Sequence, residues 1–444
     1  MANVKKGHKK TELCEIPEEW EVIKLDKIFD FYGGQPIPRR QLNDDGVAYL
    51  HYGDIHTLNR SYIDIRHDTN WLPKLNTEQK INEDSLLYEG DIVFVDASED
   101  YEGIGKSVVI YNQGKIPFVA GLHTIIAKEK SKKLNDNFKR YCFSTRAVRQ
   151  QFRMLATGAT VYGISKANIK NILISVPPLP EQKKIAEILS TVDELIEQTD
   201  ALIEKTKELK NGLMQQLLTR GIGHTRFKKT ELGEIPEEWE VKKLIDVSDR
   251  TDHYSFVGGP FGSDLKTCHY TQAGIRVIQL QNIGDGYFID DYKVYTSQEK
   301  ADELKKCNIY PGDIIIAKMA EPVARACMVP AGDERYLMCS DGIRLCVDKS
   351  IHNCKYILYA INSKYFRENA IAHSTGSTRL RIGLDELRNL PIIIPPPKEQ
   401  QQIASIITQT YEILRFYQKA KDSLQLLKQG LMQKLLTGQI RVKV

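Results

Sequence analysis

The sequence has no hydrophobic run that approaches the ~20 residues needed to cross a membrane, and neither sign of charge dominates it. Its 444 residues include 62 Lys and Arg against 58 Asp and Glu, a formal net charge of +4. Such a mildly basic chain is compatible with nucleic-acid binding but does not require it. We expect a cytoplasmic protein without membrane contact, divided into roughly two to four domains because of its length.

Paired metal-binding cysteines and catalytic motifs are also missing. No two of the eight cysteines have the Cys-x-x-Cys spacing typical of zinc sites. The segment EGIGKSVV at Glu102 resembles the end of a phosphate-binding loop, but Asp100 stands where that loop needs glycine. There is no Asn-Pro-Pro-aromatic methyltransferase motif, glycine-rich cofactor loop, His-Glu-x-x-His helix or serine nucleophile elbow. We therefore expect no catalytic residue, cofactor or metal site.

The chain instead contains an internal repeat. KKTELCEIPEEWEV begins at Lys9 and KKTELGEIPEEWEV at Lys228, and only Cys14 and Gly233 differ. Three further pairs follow in the same order: GDIVFV at Gly90 and GDIIIA at Gly312, TGAT at Thr157 and TGST at Thr375, PEQKKIAEIL at Pro180 and KEQQQIASII at Lys398. The two copies agree at their ends and diverge in their middles. This pattern indicates one shared scaffold that carries two recognition domains of different specificity.

Each copy ends in a long amphipathic segment. From Pro180 to Leu217 the apolar residues follow a heptad, with one row at Ile185, Val192, Thr199, Thr206 and Leu213 and another at Ile188, Leu195, Leu202 and Leu209. Leu189, Ile196 and Ile203 widen this apolar stripe. The second copy keeps this register from Ile403 to Leu431. Two matching seams in one chain predict an antiparallel pair of coiled-coil helices. The alternative is a generic coiled coil that dimerises two chains.

The divergent middles are predicted to be mixed α/β domains. Short β-rich runs such as DIVFV at Asp91, SVVIY at Ser107, IRVIQL at Ile275, DIIIA at Asp313 and IRLCV at Ile343 are separated by turn residues. A helical stretch follows in each copy, DNFKRYCFSTRAVRQQFRML in the first and KYILYAINSKYFRENAIA in the second.

Basic residues lie near the TGAT and TGST loops in both copies, among Tyr, Asn and Gln. These residue types anchor phosphates and contact base edges, although one such cluster also fits a solvated helix face. The predicted DNA-binding residues of the first copy are Lys106, Arg146, Arg149, Arg153, Thr160, Tyr162 and Lys166. Those of the second copy are Lys266, Gln279, Gln281, Asn282, Lys318, Arg344, Thr378, Arg379 and Arg381.

Together with GGPFGSDLK at Gly258 and the VIQLQNIGDG that follows it, the duplicated motifs resemble the specificity subunit of type I restriction-modification enzymes. The resemblance covers nearly the whole chain. It implies an α/β (α+β) fold in which two mixed α/β target-recognition domains are separated by two long antiparallel coiled-coil helices, with a pseudo-twofold internal repeat. The expected boundaries are 1-176 and 223-394 for the recognition domains, and 177-222 and 395-444 for the helical spacers. FYGGQPIPRR in the first domain departs from the GGPFGS pattern, so the resemblance does not place that loop.

The resemblance also implies a function. A specificity subunit catalyses nothing itself, reads a bipartite site in double-stranded DNA, and docks two methyltransferase subunits and the restriction/translocase subunits. S-adenosylmethionine would then be bound by the methyltransferase. Two other classes of protein are alternatives. A coiled-coil adaptor between protein-binding domains would not need basic residues around the TGAT and TGST loops, and a fused methyltransferase would need a catalytic domain for which no length is left.

Overall fold

The computed structural model describes residues 7–76, 78–376 and 378–443. It divides into two compact units, the first formed by Met1–Asp200 with Lys419–Val444 and the second by Ala201–Gln418. Both divisions fall inside long helices, so each unit holds one α/β domain and part of each long helix. Across the described residues no helix is both long and apolar enough to span a bilayer.

The first unit is built on a mixed five-stranded sheet. Its strands, in spatial order, are Phe29–Gly33, Thr124–Glu129, Ile92–Val95, Ser107–Tyr111 and Tyr62–Asp64. A three-stranded sheet contains Phe118–Ala120, Val47–Leu50 and Lys74–Leu75, and two-stranded pairs join His8–Lys10 to Glu15–Pro17, Glu21–Lys24 to Leu173–Val176, and Ala97–Ser98 to Tyr162–Gly163. Short helices cover Leu25–Ile28, Tyr52–Thr57, Ile65–Asp68, Asp136–Cys142, Arg146–Leu155 and Lys166–Lys170.

The second unit repeats this plan with altered edges. Its four-stranded sheet contains Phe256–Gly258, Gly342–Leu345, Ile314–Ala317 and Ala326–Met328, and its five-stranded sheet contains Tyr270–Thr271, Val294–Thr296, Ile275–Ile278, Tyr336–Met338 and Asn308–Ile309. Two-stranded pairs join Phe227–Thr230 to Gly233–Pro236 and Glu240–Lys243 to Pro391–Ile394. Helices cover Gln298–Glu303, Cys354–Ile361, Lys364–Ala372 and Leu384–Asn389. All five β-rich runs quoted from the sequence contain strands, which confirms those predictions.

The Gly-Asp-Ile motif begins a central strand in both domains. Ile92–Val95 and Ile314–Ala317 are buried along their whole length, as strands with a neighbour on each side and covered faces should be. Asp91 accepts a hydrogen bond from the backbone N–H of Tyr88 at 2.9 Å, and Asp313 does the same for Tyr310 at 2.9 Å. The repeated aspartate therefore closes the turn that leads into each strand.

The two helical stretches each fold as a pair of helices rather than one. Asp136–Cys142 and Arg146–Leu155 are separated at Thr145, whose hydroxyl accepts from the N–H of Val148. Ser363 plays the same part for Phe366 between the two helices of the second domain. Ser and Thr are strong N-caps, so a single hydroxyl residue restarts the helix in a new direction.

The repeated Glu-Glu-Trp-Glu segment attaches each domain to a long helix. Trp20 and Trp239 are fully buried. Within the first unit the indole N–H of Trp20 donates to Glu181 at 2.9 Å, and within the second unit Trp239 donates to Glu399 at 2.8 Å. Both glutamates lie in the first turn of a long helix, where a carboxylate is also favoured by the helix dipole.

The long helices are the central helix, Leu179–Leu217, and the C-terminal helix, Pro397–Leu435. In the first unit Lys428 pairs with Asp193 at 2.5 Å and Lys421 with Asp200 at 2.6 Å. Residues later in one helix thus meet residues earlier in the other. This confirms the predicted antiparallel pairing within the chain.

The predicted seam of the central helix is only half correct. Ile185, Val192 and Thr206 of the first row are buried, as are Leu189 and Ile203 beside it. Of the second row, Leu195, Leu202 and Leu209 are 44%, 43% and 57% exposed. The physical reason is that the apolar clusters that hold the central helix lie near its two ends, around Leu189 with Trp20 and around Met214 with Trp239. Leu195, Leu202 and Leu209 lie between these ends and belong to neither cluster.

Candidate nucleic-acid interface

The TGAT segment of the first domain forms a tight loop. The backbone N–H of Thr157 donates to Gly163 at 2.9 Å, and Gly163 donates back to Thr157 at 2.7 Å. Gly158 has a φ of +128°, and a Cβ there would lie 2.0 Å from the carbonyl oxygen of Val161. Only glycine fits this turn. The loop then continues into Tyr162–Gly163, which pairs with Ala97–Ser98 just beyond the central strand.

The TGST segment of the second domain forms the same loop, apart from Ser377, which lies outside the described residues. Thr375 and Arg381 exchange backbone hydrogen bonds of 2.9 Å each. Gly376 has a φ of +106°. Arg381 also forms a bridge with Met319, which follows the central strand. The two loops are therefore held in equivalent positions by equivalent backbone contacts.

A second feature shared by the two domains is a glycine pair, at Gly33–Gly34 within FYGGQPIPRR and at Gly258–Gly259 within GGPFGS. A Cβ on Gly34 would lie 1.9 Å from the carbonyl oxygen of Gly121, and one on Gly259 would lie 1.9 Å from that of Cys339. The glycine pair thus occupies the same place in both domains. The loops diverge only afterwards, where Arg39 pairs with Asp54 at 2.7 Å in the first domain and Phe261 is 74% exposed in the second.

Of the residues predicted for the first domain, Thr160 and Tyr162 belong to the TGAT loop itself. Arg146, Thr160 and Lys166 are exposed. Arg153 is exposed and donates to both carboxylate oxygens of Glu102 at 2.5 Å. Tyr162 packs against Tyr101, with ring centroids 3.8 Å apart. Tyr101 was missed from the sequence, where an isolated tyrosine in a turn carries no distinguishing signal.

Lys106 and Arg149 lie in a pocket of about 300 Å³, together with Arg60, Arg140 and Lys428. The ammonium of Lys106 donates to the carbonyls of His56 and Leu58 at 2.9 and 2.8 Å. Arg149 donates to the carbonyls of Glu102 and Ile104 at 2.7 Å each. Burial lowers the pKa of both side chains. In the structure, Lys106 and Arg149 stabilise neighbouring loops by hydrogen bonds to backbone carbonyls.

The second domain also presents predicted residues at its surface. Lys266, Gln281, Thr378 and Arg379 are exposed. Arg381 is half-exposed and its guanidinium donates to Asp341 at 2.7 Å. Lys318 and Gln279 are partly buried, and the amide of Gln279 donates to the hydroxyl of Tyr270 at 3.0 Å.

Two of the predicted DNA-binding residues are buried and bonded to other parts of the protein, so we do not include them among the residues that contact DNA. Asn282 is fully buried and its amide donates to the carbonyls of Ile289 and Tyr292 at 2.9 and 2.8 Å. Arg344 is 4% exposed and pairs with Asp313 at 2.7 Å and Asp252 at 2.8 Å. Sequence reasoning cannot separate a buried, paired arginine from one on the surface.

The acidic, histidine and cysteine side chains form no metal centre in the described residues. Within 7–76, 78–376 and 378–443, no three His, Cys, Asp or Glu side chains are placed to share a metal ion. The thiols of Cys327 and Cys346 have their pKa raised to about 12 by burial. Thiols in such surroundings are poor nucleophiles near neutral pH.

A family model described as the type I restriction modification DNA specificity domain matches residues 17–208 and again 236–426. Because the two matches cover most of the sequence, the chain belongs to this family. Membership confirms the resemblance read from the motifs and the prediction that the chain is a non-catalytic specificity subunit.

Individual relatives agree with this assignment. The specificity subunit of the type I restriction enzyme MjaVIII from Methanocaldococcus jannaschii is 26% identical over 436 residues, which cover 96% of this chain and 94% of the relative. The EcoKI specificity subunit of Escherichia coli K12 is 22% identical over 89% of this chain and 83% of its own length.

Solved structures support the fold. The S subunit of a type I restriction-modification system from M. genitalium matches with a TM-score of 0.56 at 15% identity, over 94% of this chain and 96% of that one. A chain from a structural study of type I complex assembly and conformational transition matches with a TM-score of 0.54 at 16% identity, over 96% and 99%. The predicted mixed α/β fold with long helices is thereby confirmed.

Proposed function

We propose that residues 1–176 and 223–394 are target-recognition domains, each reading one part of a bipartite site in double-stranded DNA. One observation carries the proposal. The Thr157 and Thr375 loops have the same backbone hydrogen bonds and glycine geometry but present different side chains. A common backbone with divergent side chains is what two readers of different sequences need.

The exposed cations provide affinity, and residues on the loops provide specificity. Arg146, Lys166, Lys266 and Arg379 are exposed and contact phosphates, which position a protein on DNA without reading sequence. Thr160, Gln281 and Thr378 carry short polar groups suited to base edges. Lys106 and Arg149 stabilise the loops behind this surface.

The helical segments 177–222 and 395–444 serve as shared spacers and docking surfaces. Leu195, Leu202 and Leu209 form an exposed apolar row along the central helix. Rows of this kind commonly mark protein interfaces. Two methyltransferase subunits dock on the segments shared by the two halves, and restriction/translocase subunits join them in the full complex. The methyltransferase supplies the bound S-adenosylmethionine.

The proposal is tested by co-expressing the chain with the methyltransferase subunit of its own restriction system and mapping methylated adenines across the genome. We expect one bipartite motif, which disappears when this chain is omitted. Methylation without a consistent motif would contradict a reading role.

Docking is tested separately by co-purification. Leu202→Glu together with Leu209→Glu places two charges in the apolar row and should release the methyltransferase. Gln198→Glu is the matched control, because Gln198 is exposed on the same helix. Unchanged co-purification of the double variant would contradict docking on this row.

A further inference from the structure

The central strand of the first domain ends in a small cluster formed by Asp96, His123 and Gly163. The N–H of Asp96 donates to the carbonyl of His123 at 3.1 Å, and the N–H of Ile164 donates to the carbonyl of Asp96 at 2.9 Å. The Asp96 carboxylate lies 3.1 Å from Nδ1 of His123, with the two side chains 29% and 48% exposed. His123 has a φ of +57°, a region that non-glycine residues seldom occupy outside functional sites and turns.

The second domain has the corresponding cluster of Lys318, Asp341 and Arg381. The N–H of Lys318 donates to the carbonyl of Asp341 at 2.7 Å, and the N–H of Ile382 donates to the carbonyl of Lys318 at 3.0 Å. These are the same two backbone bonds. The side chains differ completely, because Lys318 replaces the aspartate, Asp341 replaces the histidine, and Arg381 replaces Gly163.

Both clusters adjoin the Thr-Gly loops directly. Gly163 and Arg381 are the residues that exchange backbone hydrogen bonds with Thr157 and Thr375. Whatever the loops contact is therefore within reach of the clusters. The first cluster offers a hydrogen-bond acceptor, whereas the second offers cationic donors, with Arg381 half-exposed.

We propose that the two clusters are specificity-determining sites of opposite character, in which Asp96 accepts from the exocyclic amino group of a cytosine or adenine and Arg381, with Lys318 beside it, donates to a guanine. In the major groove a carboxylate suits an amino group, and an arginine suits the paired acceptors O6 and N7 of guanine. The inference rests on the proposed function and adds residues and base classes to it.

Contacts with bases explain these clusters better than contacts with phosphates. A carboxylate such as Asp96 is repelled by phosphate, so it favours binding only opposite a donor. The guanidinium of Arg381 donates one hydrogen bond to Asp341 at 2.7 Å, which restrains where the guanidinium can point. A restrained guanidinium favours one base edge over others, whereas contacts with the phosphates of DNA carry no base preference.

The test uses the full chain co-expressed with its methyltransferase subunit, and methylation mapping as the readout. Arg381→Gln should lower the preference for guanine at one position of a single half-site by roughly 5- to 150-fold. Lys318→Gln should act on the same half-site, and Asp96→Asn should relax one position of the other half-site. Asp341→Asn keeps the guanidinium but releases its orientation, so its effect should have the same direction as Arg381→Gln and be smaller.

Two variants serve as matched controls. Arg335→Gln removes an arginine that pairs with Asp302 at 2.7 Å, and Asp30→Asn removes a carboxylate that pairs with Lys130 at 2.8 Å. Neither residue belongs to a cluster, and both variants should keep the wild-type motif.

The outcomes separate this inference from the proposed function. If wild type yields no bipartite motif, the proposed function fails. If wild type yields one but Arg381→Gln and Asp341→Asn leave every base preference unchanged, the inference is overturned. An equal loss of methylation at all DNA sequences would also overturn the inference, because that is the result expected for phosphate contacts.

Discussion

Asp91 and Asp313 occupy the same place in the two domains but have different surroundings. Each closes the turn before its central strand. On the adjacent strand Arg344 lies beside Ile315 in the second domain, whereas Ile126 lies beside Val93 in the first. Arg344 pairs with Asp313, while burial raises the pKa of Asp91 to about 6. The duplicated backbone contacts are kept, and the side chains around them have diverged.

The largest expected effect comes from removing a contact that both halves share. Trp239→Ala should lower the free energy of unfolding of the second unit by about 3–5 kcal/mol, because it empties a fully buried site. Trp20→Ala should cost the first unit a similar amount. Hydrogen–deuterium exchange, followed separately for peptides of each unit, measures the two losses of unfolding free energy.

Trp71→Ala is the control for these variants, because Trp71 is 42% exposed. Its effect should stay within about 1 kcal/mol. A large loss of unfolding free energy at one buried tryptophan and a negligible loss at the other would show that the two halves are not held together in the same way.

The two aspartates should respond in opposite directions to the same substitution. Asp313→Asn weakens a buried ion pair and should destabilise the second unit by about 3 kcal/mol. Asp91→Asn removes a charge that burial disfavours and should stabilise the first unit by about 1–3 kcal/mol at pH 7. Chemical denaturation monitored separately for each unit distinguishes the two results.

The effect of Asp91→Asn should depend on pH. Burial raises the pKa of Asp91 from its usual 3.8 to about 6, so the folded wild-type chain loses stability as pH rises through this interval. The advantage of the variant should therefore be small near pH 4 and complete above about pH 6. A constant advantage over this range would contradict a raised pKa.

A smaller effect is expected at the exposed cations. Arg379→Ala should weaken binding to all DNA sequences alike and reduce the salt dependence of binding by about one unit. Arg146→Ala should do the same in the first domain. Fluorescence anisotropy of the full complex with duplex DNA over a salt series measures this slope. A change confined to one DNA sequence would instead indicate a base contact.

The repeat made much of the architecture predictable. Buried strands after the Gly-Asp-Ile motifs and the antiparallel helices follow from local patterns that occur twice. The exposure of Leu202 was not predictable, because a heptad pattern does not show which part of a helix is covered by the rest of the fold. The helix break at Thr145 was missed because a hydroxyl residue within a helical pattern either caps a new helix or simply points to solvent.

The candidate site was less predictable than the fold. Loop positions followed from the TGAT and TGST repeats, but the burial of Asn282 and Arg344 depends on partners distant in sequence. Arg344 lies 31 residues after Asp313 and 92 after Asp252. The sequence did not predict Asp96 and His123 as candidate DNA-binding residues. They stand out only when their backbone hydrogen bonds are matched with those of Lys318 and Asp341.

A domain exchange shows whether two separate recognition domains share one scaffold. Residues 20–176 are replaced by the equivalent segment of another specificity subunit, and the variant is co-expressed with its methyltransferase for genome-wide mapping of methylated adenines. We expect one half of the methylated motif to change while the other half keeps its sequence. A change in both halves from this single exchange would contradict it.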